Sequence, residues 1–160
     1  MNKKILITYF SASGVTERYA NMLADITGGD LFKIEPQIPY TNKDLDWTNK
    51  NSRSSIEMND LTSRPKISSK IKNFDNYDTI FLGFPIWWYV APTIINTFLE
   101  SYDFSGKKII IFATSGSSSF GRTSMLLKES LPSDVDFIEG KILNRMSPVA
   151  ISEWVNSLEI

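Results

Sequence analysis

The 160-residue sequence contains no cysteine and no histidine. Without cysteine there is no disulfide, no thiolate nucleophile and no cysteine-ligated cluster. Without histidine, neither a Ser-His-Asp nor a Cys-His site can be assembled, and no imidazole can ligate a metal. No remaining side chain has an unperturbed pKa near neutrality. Any redox or group-transfer chemistry therefore falls to a bound cofactor. An excess of one charge is also lacking: 17 Lys and Arg face 18 Asp and Glu, a net charge of −1. That gives no electrostatic footprint for nucleic acid or for an anionic membrane surface. Long apolar runs are missing too. After Met1-Asn2-Lys3-Lys4, the first run lasts only from Ile5 to Ile7, too short for a signal-peptide core. No later run reaches membrane-spanning length. A soluble cytoplasmic protein is expected, with neither nucleic acid nor membrane as partner.

What is present is enough apolar residue, 42% of the chain, to fill the core of one domain spanning residues 1–160. Strand and helix patterns alternate along it. Ile5, Leu6 and Ile7 read as a buried parallel strand. Val15, Tyr19, Met22, Leu23 and Ile26 follow on one helical face. A second strand is expected over Asp30–Glu35, after the Thr27-Gly28-Gly29 helix stop. The nearly all-apolar run Thr79–Phe84 reads as a central strand. The next helix starts near Ala91-Pro92 and is expected to bury Ile94, Ile95, Phe98, Leu99 and Tyr102. A fourth strand over Ile109–Ala113, a helix through Met125–Leu131 and a fifth strand over Val135–Ile138 come next. The last helix begins at Ser147-Pro148 and buries Ile151, Trp154, Val155 and Leu158. Five such units predict an α/β fold, a doubly wound five-stranded parallel sheet. The polar stretch from Pro36 to Pro65, with Tyr40, Trp47 and Arg53, is longer than a crossover needs and reads as a long loop. A short helix through Ile67, Ile71 and Phe74 is expected to complete that crossover.

Ligands of open parallel sheets sit outside the carboxyl ends of the strands. Three segments leave strands at that edge. The turn at residues 11–16 carries Ser11, Ser13, Thr16 and one glycine between a strand and a helix. It is suited to a phosphate, although an ordinary Ser or Thr N-cap has the same pattern. Pro85-Ile86-Trp87-Trp88-Tyr89 offers three consecutive aromatic side chains able to stack on a flat heterocycle. Thr114-Ser115-Gly116-Ser117-Ser118-Ser119-Phe120-Gly121 is small and polar, so its backbone can approach a ring edge. Together the three describe a mononucleotide with a large planar base. No Gly-x-x-x-x-Gly-Lys-Ser/Thr sequence occurs, and no Gly-x-Gly-x-x-Gly follows a strand, which argues against P-loop and dinucleotide sites. The strand ends Tyr9-Phe10-Ser11 and Gly83-Phe84-Pro85 lack the carboxylates of a response-regulator receiver.

In its motif order the chain resembles the flavodoxins. It is similar to a bacterial branch with Tyr-Phe-Ser-x-(Ser/Thr)-Gly, Pro-Tyr-Thr, Gly-(Tyr/Phe)-Pro-Ile-Trp-Trp and Thr-Ser-Gly, here at residues 9–14, 39–41, 83–88 and 114–116. The resemblance implies strand order 2-1-3-4-5 and one noncovalent FMN at the strand ends. It implies Ser11, Ala12, Ser13, Gly14, Val15 and Thr16 around the phosphate, and Pro85, Ile86, Trp87, Trp88 and Tyr89 along the isoalloxazine. Thr114, Ser115, Gly116, Ser117 and Gly121 fall on its polar side. Two features depart from the branch. Tyr89 stands where a glycine often follows the paired tryptophans, so a peptide flip through φ > 0 costs more. The charge of −1 is weaker than the acidic surface of electron-shuttling flavodoxins. Three functions remain open: an FMN electron-transfer protein serving a redox partner protein or a small electron donor or acceptor; an NAD(P)H-dependent quinone or nitro reductase on FMN; and a regulatory or interaction module without flavin.

Overall fold

The computed structural model describes residues 4–160; Met1–Lys3, part of the N-terminal stretch weighed above as a leader, lie outside the described residues. Five strands, β1 (Ile5–Tyr9), β2 (Asp30–Lys33), β3 (Thr79–Pro85), β4 (Lys108–Thr114) and β5 (Asp136–Ile142), form one sheet in the order β2-β1-β3-β4-β5. Every neighbouring pair is parallel. This is the expected doubly wound arrangement, and its strand order reverses between β1 and β3.

The apolar runs explain why the middle strands are central. Successive residues point to opposite faces, and in β3 and β4 both faces are buried. Ile80, Leu82 and Phe84 join Ile109, Ile111 and Ala113 on one side, under α3 (Thr93–Glu100) and α4 (Thr123–Lys128). Phe81, Ile110 and Phe112 face the other side, under α1 (Val15–Thr27) and α5 (Pro148–Ser157). α3 buries Ile94, Ile95, Phe98 and Leu99 as expected, whereas Tyr102 lies past its end and is half-buried. α5 is capped by the Ser147 hydroxyl, which accepts from the Ala150 N–H at 3.1 Å, and buries Ile151, Trp154 and Val155. α4 is shorter than expected and leaves Met125 exposed, while β5 runs on to Ile142.

Three local expectations are corrected. Val15 is exposed, and the buried residues of α1 are Thr16, Ala20 and Leu23. The helix is turned so that Thr16, whose hydroxyl finds a buried partner, points inward instead. The stretch 36–65 is not loop throughout: Arg53–Asn59 forms α2, with the Ser52 hydroxyl accepting from the Ser55 N–H. The expected helix through Ile67, Ile71 and Phe74 does not form. Ile67 bridges Pro36, the Ser68 N–H donates to the Glu35 carbonyl at 2.9 Å, and the Ser69 hydroxyl bonds both Lys33 and Glu35. The free backbone edge beyond β2 and two serine hydroxyls offer this segment partners that a helix would have to supply internally. Only a 3-10 turn at Phe74–Asn76 remains.

Candidate functional site at the strand ends

The turn after β1 is built on Gly14, the N-cap of α1, at φ 93°. No side chain caps the helix; the Ser11 hydroxyl instead accepts from the Gly14 N–H at 3.0 Å. The first-turn N–H groups of a 13-residue helix are thus left for something else, and they carry the positive end of its dipole. The Thr16 and Thr114 hydroxyls lie 2.7 Å apart in the interior, which locks this turn to the end of β4.

The segment after β3 makes a tight turn. The Trp87 N–H donates to the Val90 carbonyl at 2.9 Å, and the Val90 N–H returns to the Trp87 carbonyl at 3.2 Å. Trp88 (φ 52°) and Tyr89 (φ 65°) both sit in the left-handed region, as a type I′ turn demands of its two central residues. Asn-Gly usually fills those positions; two large aromatics there cost conformational energy that neighbours must offset. The Tyr89 carbonyl accepts the Arg122 N–H at 3.2 Å. Gly121, itself at φ 53°, leaves it room, because a Cβ there would lie 2.5 Å from the Tyr89 oxygen. Trp87 is anchored by edge contacts with Phe10 and Tyr40, at centroid distances of 6.0 and 5.7 Å.

The loop after β4 is pinned from beneath. Asn144 Oδ1 accepts from the Ser115 N–H at 3.0 Å, and Asn144 Nδ2 donates to the Ser115 carbonyl at 2.8 Å. The Ile86 N–H donates to the Thr114 carbonyl at 2.9 Å, joining the two loops. The segment 36–65 folds over both. Its fastening point is Arg53, whose guanidinium lies 3.7 Å above the Tyr40 ring and bonds Glu57 at 3.1 Å and the Ile38 carbonyl at 2.6 Å. Burial first, and then the Glu57 carboxylate that accepts its proton, push the Tyr40 hydroxyl well above the usual phenol range.

Between these segments lies a cleft of about 560 Å³, lined by Trp87, Trp88 and Tyr89, by the backbone and hydroxyls of 115–118, and by Leu45, Trp47 and Ser54. Two of its residues, Ser54 and Ser115, carry buried hydroxyls with no hydrogen-bond partner, and no other described residue does. A buried hydroxyl without a partner is costly. Two in one cleft therefore mark a place for a polar-edged ligand between aromatic walls. None of the lining residues carries a formal charge.

The sequence-predicted residues distribute unevenly. Ile86, Trp87, Trp88, Tyr89, Ser115, Gly116 and Ser117 line the cleft. Ser11, Ala12, Ser13, Gly14, Val15 and Thr16 form the neighbouring turn and do not line it. Pro85 and Thr114 pair with each other at the strand ends, and Gly121 backs Tyr89. Leu45 and Ser54 were not singled out by sequence, and Ser118 entered only as part of the loop after β4. Leu45 and Ser54 belong to no local motif; in their segment the sequence offered only the Pro-Tyr-Thr triplet at 39–41 and the isolated Trp47 and Arg53.

The flavodoxin family profile matches residues 4–158. The chain belongs to the flavodoxin family. Among solved flavodoxin-like structures, a candidate flavoprotein of Bacteroides eggerthii is 50% identical, with a TM-score of 0.92 over 99% of both chains. One of Bacteroides uniformis is 46% identical, with a TM-score of 0.90 over 98% of this chain and 99% of that one. A Lactobacillus acidophilus flavoprotein in complex with FMN shares the fold at 22% identity, with a TM-score of 0.71 over 96% of this flavodoxin and 99% of its own length. No protein of curated description matches the chain. No helix among the described residues of this flavodoxin is long and apolar enough to cross a membrane.

Proposed function

We propose that this chain is a single-domain, cytoplasmic electron-transfer protein that holds one noncovalent FMN at the strand ends. One observation carries the reading: a cleft walled by indole and phenol rings contains the only two unsatisfied buried hydroxyls among the described residues. The fit is chemical. A flat tricycle with a polar edge matches Trp87, Trp88, Tyr89 and Trp47 on one hand and the Ser54 and Ser115 hydroxyls on the other. The phosphate would lie against the uncapped α1 N-terminus, where Ser11, Ser13 and Thr16 add hydroxyls. The Lactobacillus relative that contains FMN supports the same assignment.

Bound FMN supplies one- and two-electron chemistry, which this chain's side chains cannot. The chain's own work is to grip and orient. Ser115, whose backbone is fixed through Asn144, and the small residue Gly116 would let the loop backbone hold a ring edge. Trp47 and Trp88 would cover one side of the ring. The lining offers no acid or base besides the Tyr89 phenol, so proton delivery by the protein is no part of the reading. A redox partner protein, or a small donor or acceptor, would meet the open edge.

The absorption spectrum of the purified protein, before and after titration with FMN, tests the assignment. Flavin bands that follow the protein, with fluorescence quenched by the indoles, are expected. A colourless protein that takes up no FMN would return the chain to the non-flavin reading. Anaerobic mixing with NADPH separates the reductase: fast bleaching would replace electron transfer by hydride chemistry.

A further inference from the structure

Sharing Trp47 and Trp88 with the proposed flavin cleft is a second hollow of about 450 Å³. Trp47, Trp88, Met58 and Leu61 supply its apolar wall, and Lys50 and Arg122 its charges. No carboxylate is among the lining residues. Like most cations among the described residues, neither lies within 4 Å of a carboxylate, so both charges are open to a ligand. Arg122 is also tied to the aromatic turn, because its N–H donates to the Tyr89 carbonyl.

We infer that this hollow is a binding site for a small aromatic anion, one or two fused rings bearing a carboxylate or sulfonate. Its volume falls in the range of small-molecule sites, and its lining is divided about equally between apolar and polar residues, as a ligand with both an aromatic ring and a charge requires. The indoles offer faces for stacking and the two cations select for negative charge; a neutral ring would gain only the first of these, and an inorganic anion only the second. The site is made by the chain's own residues. Its use as the place where a small redox substrate waits rests on the FMN reading, because the hollow shares Trp47 and Trp88 with the cleft assigned to the flavin.

Isothermal titration with 2-naphthoate and with its neutral amide, 2-naphthamide, tests the inference on both the FMN-loaded and the FMN-free protein. FMN uptake is read first from absorbance, so failure of the flavin reading is seen independently. Naphthoate should bind both forms, more tightly than naphthamide and more weakly as salt rises. The double variant Lys50→Gln/Arg122→Gln should weaken naphthoate about tenfold and leave naphthamide nearly unchanged. Both side chains are exposed, so the variant should fold, which its melting curve checks. Equal affinity for the two probes, no response to the double variant, or no binding at all would overturn the site. Loss of naphthoate binding on FMN loading would also overturn it, by making the hollow part of the flavin cleft.

Discussion

Thr16 and Thr114 join the first turn of α1 to the end of β4 through a hydroxyl–hydroxyl contact of 2.7 Å. Both side chains are buried, so each hydroxyl depends on the other. Thr16→Val removes one partner and strands the second; the expected loss is about 1–3 kcal/mol in a urea titration. The double variant Thr16→Val/Thr114→Val should lose less than the sum of the single losses. Strict additivity would mean that the contact does not couple the two elements.

Tyr89 occupies the second left-handed position of the aromatic turn. A residue with a Cβ costs about 1–2 kcal/mol there, and glycine gives part of that back to the unfolded chain. Tyr89→Gly is therefore expected to raise the melting temperature of the FMN-free protein, by about 0.5–1 kcal/mol of stability. An unchanged or lower melting temperature would show that the phenol ring contributes packing that outweighs the backbone.

The sheet was legible because β3 and β4 are apolar on both faces, and few other arrangements bury such runs. The loops after β1, β3 and β4 were legible for a related reason: the sheet fixes where their ends must be. The segment 36–65 was not. Its helix α2 has no apolar stripe; it is held by the Ser52 cap and by Arg53 reaching Tyr40, Glu57 and the Ile38 carbonyl. The reaches to the Tyr40 ring and the Ile38 carbonyl are tertiary, and the Ser52 cap and the i,i+4 pair with Glu57 are local but set up no apolar periodicity. The orphaned Ser54 hydroxyl belongs to the same class, since its meaning comes only from the cleft beside it. The turn at Trp88-Tyr89 was unreadable in the opposite sense, because local preference forbids what Gly121 and the Arg122 N–H make possible.

Glu100 ties α3 to the segment before β3. Hydrogen bonds from Arg64 and then Ser130 hold its carboxyl below the usual carboxylate range. A depressed folded-state pKa means stability that is complete above the unfolded value and lost as the pH falls through the folded one. Glu100→Gln should thus cost little at neutral pH, no more than about 1 kcal/mol for so exposed a pair. It should also flatten the acid limb of the stability curve. Parallel acid limbs for variant and parent would remove this pair from the account.

None of the residues lining the proposed flavin cleft is cationic, and Arg122 lines the neighbouring hollow. Added negative charge on a bound ring would then lie near the phosphate without compensation. A potentiometric titration is expected to place full reduction at a more negative potential than for free FMN. A value equal to that of the free cofactor would point to a cation brought in on binding.

Ser13 is exposed beside Gly14, where α1 begins without a side-chain cap. An aspartate there has two opposite effects. In the FMN-free protein it complements the helix dipole, and Ser13→Asp is expected to gain about 0.3–1 kcal/mol. Toward FMN it sets a carboxylate against the phosphate, so affinity should fall by about tenfold or more, a change of at least about 1.4 kcal/mol. Riboflavin, which lacks the phosphate, should bind parent and variant alike. Equal loss of riboflavin and FMN affinity would mean a distorted turn, and unchanged FMN affinity would take the phosphate away from α1.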